Sequence, residues 1–202
     1  MRARILVTRP KPGASATARR LKEAGFEPVL LPLTEIRQLP LPTGQRLERP
    51  DAMVVSSANA IRLAPPELLA AQAGRPCLAV GAETAKAAVE AGFNAVTSAD
   101  GDADALTRIV LKLTPPGARI LYLTGRVRRA ALEERLATAG RTVETVEIYD
   151  TLPIAYSANG LDRLLAGRTD AVLLHSARAA ELLARLPGAG RRFESAIFLG
   201  LS

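Results

Sequence analysis

Several apolar runs in this 202-residue chain end on residues that can donate a hydrogen bond or let an anion come close. Ile5-Leu6-Val7 leads to Thr8 and Arg9, and Met53-Val54-Val55 leads to Ser56 and Ser57. Leu78-Ala79-Val80 leads to Gly81 and Thr84, Ile120-Leu121-Tyr122-Leu123 to Thr124 and Gly125, and Val172-Leu173-Leu174 to His175 and Ser176. In an open parallel sheet, the C-terminal strand ends and the following helix starts form the ligand-binding rim. Amides at a helix start favour a carboxylate or a phosphate. Any single Ser or Thr in such a place is most often an ordinary N-cap. Recurrence after nearly every strand instead favours a rim lined with donors. That rim offers no paired carboxylates and no nucleophile beside a base. Its chemistry is that of holding and shaping a reactive anion.

Other chemistries find little support. His175 is the sole histidine and Cys77 the sole cysteine, with no partner at ligand spacing, so no metal is expected. Cys77, inside Cys77-Leu78-Ala79-Val80, reads as a buried reduced thiol. Nucleotide loops of the G-x-x-x-x-G-K-[ST] or G-x-G-x-x-G type are missing, and Thr124-Gly125-Arg126-Val127-Arg128-Arg129 is a weak substitute. The basic start, Met1 to Pro10, has too short an apolar run for a signal peptide, and nothing approaches membrane-spanning length. A cytoplasmic protein is expected. The net charge of +7 favours an anionic partner, but with 3% aromatic residues no stacking surface for nucleic acid accompanies it.

The elements that must hold this rim repeat. Ala3-Arg4-Ile5-Leu6 recurs as Ala118-Arg119-Ile120-Leu121, and Leu21, Ala24 and Gly25 recur as Leu136, Ala139 and Gly140. Asp51-Ala52-Met53-Val54-Val55-Ser56-Ser57-Ala58 aligns with Asp170-Ala171-Val172-Leu173-Leu174-His175-Ser176-Ala177, and Leu78-Ala79-Val80-Gly81 aligns with Ile197-Phe198-Leu199-Gly200. The short, β-branched runs suit parallel strands buried on both faces, alternating with helices. The fold class is therefore α/β, with two similar parallel-sheet domains arising from an internal duplication. One copy is continuous, residues 37–153. The other is split between the two ends, residues 1–36 and 154–202. Crossings fall near Ile36–Pro42 and Thr151–Ala158, both containing proline. By this alignment Ser202 corresponds to Glu83, so the second copy is expected to be truncated, with about thirty further residues needed to cover its last strand.

The ordered set of motifs resembles uroporphyrinogen-III synthase. The stretches are Ile5-Leu6-Val7-Thr8-Arg9-Pro10, Asp51 to Ala60, and Val80-Gly81-Ala82-Glu83-Thr84-Ala85. Leu121-Tyr122-Leu123-Thr124-Gly125, Val146-Glu147-Ile148-Tyr149-Asp150-Thr151 and Leu173-Leu174-His175-Ser176-Ala177 continue the series along the whole chain. Each is loose alone; their order together with the split duplication is specific. The resemblance implies two α/β domains joined by a two-stranded linker, with the active site between them. It implies a cofactor-free enzyme that cyclises hydroxymethylbilane, a polycarboxylate, with inversion of the last pyrrole ring and loss of water. Its substrate contacts, carried over by position, are Arg9, Ser56, Ser57, Gly81, Thr84, Thr124, Arg128, Ser176 and Gly200. Tyr149 is its candidate for assisting departure of the hydroxyl. Ser56 stands where the family often has Thr, and Asp102 where Asn is common; both departures are mild. A monomer without nucleic-acid or membrane partners is expected. The competing readings are a non-catalytic two-domain binder of a small anion and a charge-driven nucleic-acid module.

Overall fold

The computed structural model describes residues 2–41, 49–99, 101–128 and 130–200. Pro42 of the first crossing, Arg129 of the Gly-plus-basic stretch and Ser202 lie outside the described residues. Along the chain run β1 (Arg4–Val7), α1 (Gly13–Glu23), β2 (Glu27–Leu30), β3 (Thr34–Gln38), β4 (Ala52–Val55), α2 (Ala58–Leu63) and α3 (Pro66–Gln72). Next come β5 (Cys77–Ala79), α4 (Ala82–Glu90), β6 (Val96–Ser98), α5 (Ala103–Leu113), β7 (Arg119–Gly125), α6 (Ala131–Thr138) and β8 (Thr142–Pro153). The last elements are α7 (Ala158–Leu164), β9 (Ala171–Leu174), α8 (Ala177–Ala184), α9 (Ala189–Arg192) and β10 (Ile197–Gly200). The chain divides into two compact units, a split unit of 1–36 with 151–202 and a continuous unit of 37–150.

In the continuous unit, the strand order is β3-β8-β7-β4-β5-β6, and β8, β7, β4, β5 and β6 pair in parallel. All residues of β4 and β5 are buried, which their uninterrupted apolar sequences demand. Alternation along β4 sorts the core into two layers. Met53 and Val55 pack with Ile61, Leu68, Leu69, Ala87 and Ala88 of α2, α3 and α4. Ala52 and Val54 pack with Leu106 and Val110 of α5 and Leu132 and Leu136 of α6. Leu106 and Val110 lie four residues apart on one helix face, as an amphipathic helix requires. Asp102 starts α5 by accepting hydrogen bonds from the amides of Asp104 (3.0 Å) and Ala105 (2.9 Å). The Ala105 amide, first among several causes, holds its carboxyl below the ordinary aspartate range. An aspartate serves well at this position because it is a strong N-cap.

The split unit has strand order β10-β9-β1-β2, parallel throughout. Leu6 and Val172 point to one layer with Leu161, Leu165 and Leu183. Ile5, Val7 and Leu173 point to the other, with Ala14 and Leu21 of α1. Burying each such Leu, Ile or Val contributes about 1.5–3 kcal/mol against conformational entropy. One carboxylate aligns the strand starts: Asp170 Oδ2 accepts from the Arg4 amide at 2.8 Å, and the Asp170 amide donates to the Arg4 carbonyl at 2.9 Å. In the continuous unit Asp51 does the same for Arg119, with both distances 2.8 Å. β10 forms the edge of its sheet, and all four of its residues are exposed.

Candidate active site

Register places the first polar cluster. β4 and β7 pair with Val55 opposite Leu123, so Ser56 and Thr124 leave the sheet side by side. Their hydroxyl oxygens lie 3.3 Å apart, and the Tyr122 hydroxyl donates to Ser56 Oγ at 2.7 Å. Thr124 and Tyr122 are both buried, which fixes this trio. By sequence Tyr122 reads only as part of a strand. A tyrosine inside a buried apolar run does carry a usable signal, since its hydroxyl requires a partner.

The pairing of β7 with β8 slips between Thr124 and Gly125, bringing Gly125 opposite Tyr149. The Tyr149 ring lies on the Gly125 backbone: a Cβ at Gly125 would stand 2.6 Å from Tyr149 Cζ and 3.0 Å from its hydroxyl. Glycine is therefore required at 125 by close approach. The Tyr149 hydroxyl has no hydrogen-bond partner among the described residues. Its ring packs partly against the core layer that contains Ile148 and Val146.

Arg128 stands next to this group with its guanidinium already engaged. Nε donates to Glu133 at 2.7 Å and Nη1 to Glu147 at 2.8 Å, with longer contacts of 3.4 Å to the carbonyls of Gly125 and Arg126. Arg126 pairs with Glu147 at 2.9 Å and Asp150 at 3.4 Å. The hydrogen bond from Arg128, then that from Arg126, holds the Glu147 carboxyl below the usual glutamate range. Glu147 is thus a fixed anion that orients two arginines, and it is poorly suited to act as a base.

The remaining positions of this unit lie at helix starts. The Ser57 hydroxyl accepts from the Asn59 amide at 3.2 Å and so caps α2. Gly81 caps α4 with extended dihedrals, and a Cβ there would meet nothing within 4 Å. Neither strain nor crowding demands glycine at 81; its effect is to leave space open at the α4 start. Thr84 is buried within α4, and its amide donates to the Gly81 carbonyl at 3.0 Å.

In the split unit, Thr8 is buried and donates to the Leu173 carbonyl at 2.6 Å, tying β1 to β9. Arg9 lies across Gly13, where a Cβ would come within 2.6 Å of its Cζ. Ser176 caps α8 by accepting from the Ala179 amide at 3.1 Å. Gly200 closes β10 beside Leu174, exposed and uncrowded. The structure therefore groups Ser56, Thr124, Tyr149 and Arg128 at one end of the continuous sheet. Ser57 and Ser176 fill the capping role, and Arg9 is free of any acidic partner among the described residues.

This arrangement can orient an anion and donate a proton from a phenol. Among the described residues it holds no unpaired carboxylate at the strand ends and no group of three or more His, Cys, Asp or Glu positioned for a metal ion. No helix among the described residues is long and apolar enough to cross a membrane.

Comparison with known proteins bears on the fold and the family separately. A uroporphyrinogen III synthase mutant from Thermus thermophilus aligns over 96% of this chain and 77% of its own, at 23% identity with a TM-score of 0.58. A uroporphyrinogen-III synthetase from Helicobacter pylori aligns over 100% and 84%, at 16% identity with a TM-score of 0.67. Identities this low establish a shared mixed α/β fold. No curated protein matches the chain. The family model for uroporphyrinogen-III synthase HemD matches residues 15–197, nearly the whole sequence. A match of that extent, on a chain with this fold and this donor-rich, base-poor strand end, means that the chain belongs to the uroporphyrinogen-III synthase family.

Proposed function

We infer that this chain closes hydroxymethylbilane into uroporphyrinogen III, and the observation that carries this reading is the family match over residues 15–197. The substrate's hydroxymethyl C–O bond breaks, the hydroxyl leaves as water after gaining a proton, and a pyrrole nitrogen lone pair stabilises the resulting azafulvene cation. The substituted carbon of the last ring attacks it to give a spiro intermediate. The bond from that carbon to its original methylene bridge then breaks, and the freed methylene cation bonds to the ring's unsubstituted α carbon, so that the ring is inverted. That carbon loses its proton to restore the pyrrole and the donor. No cofactor takes part. The unpartnered Tyr149 phenol supports a role as proton donor to the departing hydroxyl, since a phenol donates without first being charged.

Arg9, with the open helix starts at Gly81 and the exposed Gly200, is assigned to the substrate's acetate and propionate groups. Ser56, Thr124 and Arg128 act by shaping the strand end around Tyr149, with Ser57 and Thr84 fixing helix starts of the same unit and Ser176 fixing the start of α8 in the split unit. We take the two units to be copies of one ancestral α/β element, joined by the paired strands β3 and β8. The recurrence of the Asp–Arg strand alignment at Asp51/Arg119 and Asp170/Arg4 supports that duplication. The working species is a monomer in the cytoplasm.

The test is a product-isomer assay. Incubation with hydroxymethylbilane is expected to yield the type III isomer; only the spontaneous type I product would reduce the chain to a binder of small anions. In the same assay Tyr149→Phe lowers kcat about 10²-fold or somewhat less with little change in KM, the small end of general-acid assistance. An unchanged kcat would remove Tyr149 from the chemistry.

A further inference from the structure

Within the split unit, a cavity of about 400 Å³ is lined by Arg9, Thr17, Arg20, Leu21, Ala24 and His175. Its polar lining is cationic or neutral, with no acidic side chain. Arg9 and Arg20 meet no acidic partner among the described residues, whereas Arg4, Arg126, Arg128, Arg135 and Arg192 are all paired. Gly13 lets the Arg9 guanidinium lie flat over the start of α1, which holds it in place without an ion pair. Thr17 and Arg20 are three residues apart on α1 and so share a face toward the cavity. His175 Nδ1 is buried and has no hydrogen-bond partner among the described residues, so one strong polar group in the lining is left unsatisfied. Such a group is costly in a folded protein and calls for an occupant that can pair with it.

We propose that this cavity is an oxyanion site, taking a phosphate or carboxylate between Arg9, Arg20 and His175. The site shares Arg9 with the proposed substrate contacts and to that extent rests on that reading, while Arg20 and His175 are additional to it. Burial, followed by the positive charge of Arg9, pulls the His175 pKa below the ordinary histidine value. An anion in the cavity offsets the Arg9 charge and accepts a hydrogen bond from the imidazolium, so occupancy raises that pKa. By linkage, the site binds its anion more tightly as pH falls into the range where His175 gains its proton. The imidazole is the titrating member of the lining.

The chain has one histidine, so its imidazole proton resonances are read without assignment. They are to be titrated with pH in the intact chain at constant ionic strength, in chloride, in sodium phosphate and in sodium succinate. Saturating phosphate or succinate is expected to raise the His175 pKa by about one unit, equivalent to tenfold tighter binding to the protonated form. A larger shift with phosphate assigns a phosphate ligand, and a larger shift with succinate assigns a carboxylate; either supports the site. Arg20→Gln, checked for an unchanged circular dichroism spectrum, should weaken the anion's effect at least tenfold. An identical pKa in all three salts, or equal anion effects with and without Arg20, overturns the proposal.

Discussion

β5 and β10 are both short, apolar and parallel to the strand beside them, yet their surroundings differ. β5 lies between β4 and β6, is buried at every residue, and touches α4 and α5. β10 pairs only with β9, and Ile197, Phe198 and Leu199 are 65%, 51% and 43% exposed. Apolar composition makes a strand fit for burial, but the neighbouring elements decide whether burial occurs. An enclosed strand such as β5 positions the loop and helix at its C-terminal end. Gly81, just after β5, opens a fixed helix start, whereas Gly200, ending β10, is itself exposed.

The largest test of this contrast puts one carboxylate on each strand. Leu78→Asp places an unpaired charge where the side chain is 1% exposed, and is expected to cost more than about 4 kcal/mol, unfolding the continuous unit. Phe198→Asp in β10, where the side chain is 51% exposed, should change stability far less. Urea unfolding checks both; equal losses would show that β10 is as enclosed as β5.

A smaller effect tests where the units behave alike. Asp51→Ala and Asp170→Ala each leave a strand-start amide without its carboxylate acceptor, and each should cost about 1–3 kcal/mol. A large cost at one and none at the other would break the equivalence of the two alignments. The smallest effect is a matter of access. Burial pushes the Cys77 thiol up to about 12, so in the folded chain it stays protonated and enclosed. Because that value lies above the unfolded one, its contribution to stability is intact below about pH 8.5 and declines as pH rises toward 12. At pH 8 a thiol reagent should label Cys77 only as fast as the continuous unit opens, while β10 amides exchange hydrogen much sooner. Rapid labelling of the native protein would contradict the burial of β5.

Apolar periodicity made most elements legible in the sequence. Ile5–Val7, Met53–Val55, Ile120–Leu123 and Val172–Leu174 all lie in strands, and Gly25 and Gly140, at φ values of +86° and +76°, follow helices as glycines tolerant of that conformation do. Polar side chains were less legible because their partners are distant in the chain. Arg128 is engaged by Glu147, nineteen residues away, and Ser56 by Tyr122, sixty-six away. No local pattern reveals such bonds. The hydroxyls of Ser57 and Ser176, by contrast, were legible as caps, since their acceptor role is played out within three residues.

The division of one sheet between both ends of the chain fixes an order of birth. A ribosome releases β1, α1 and β2 first, then every strand from β4 to β8, and only afterwards β9, the other neighbour of β1. At ~5–20 residues per second, the wait is on the order of ten to thirty seconds. Throughout it both edges of the nascent β1–β2 pair are open, that of β1 awaiting β9, and two strands alone are marginal in water. The continuous unit can complete its sheet by the end of that interval, so only the last part of translation, from β9 onward, follows its folding. Slow codons or a holding chaperone would act here on the N-terminal strand pair, the segment that must wait longest for its partner.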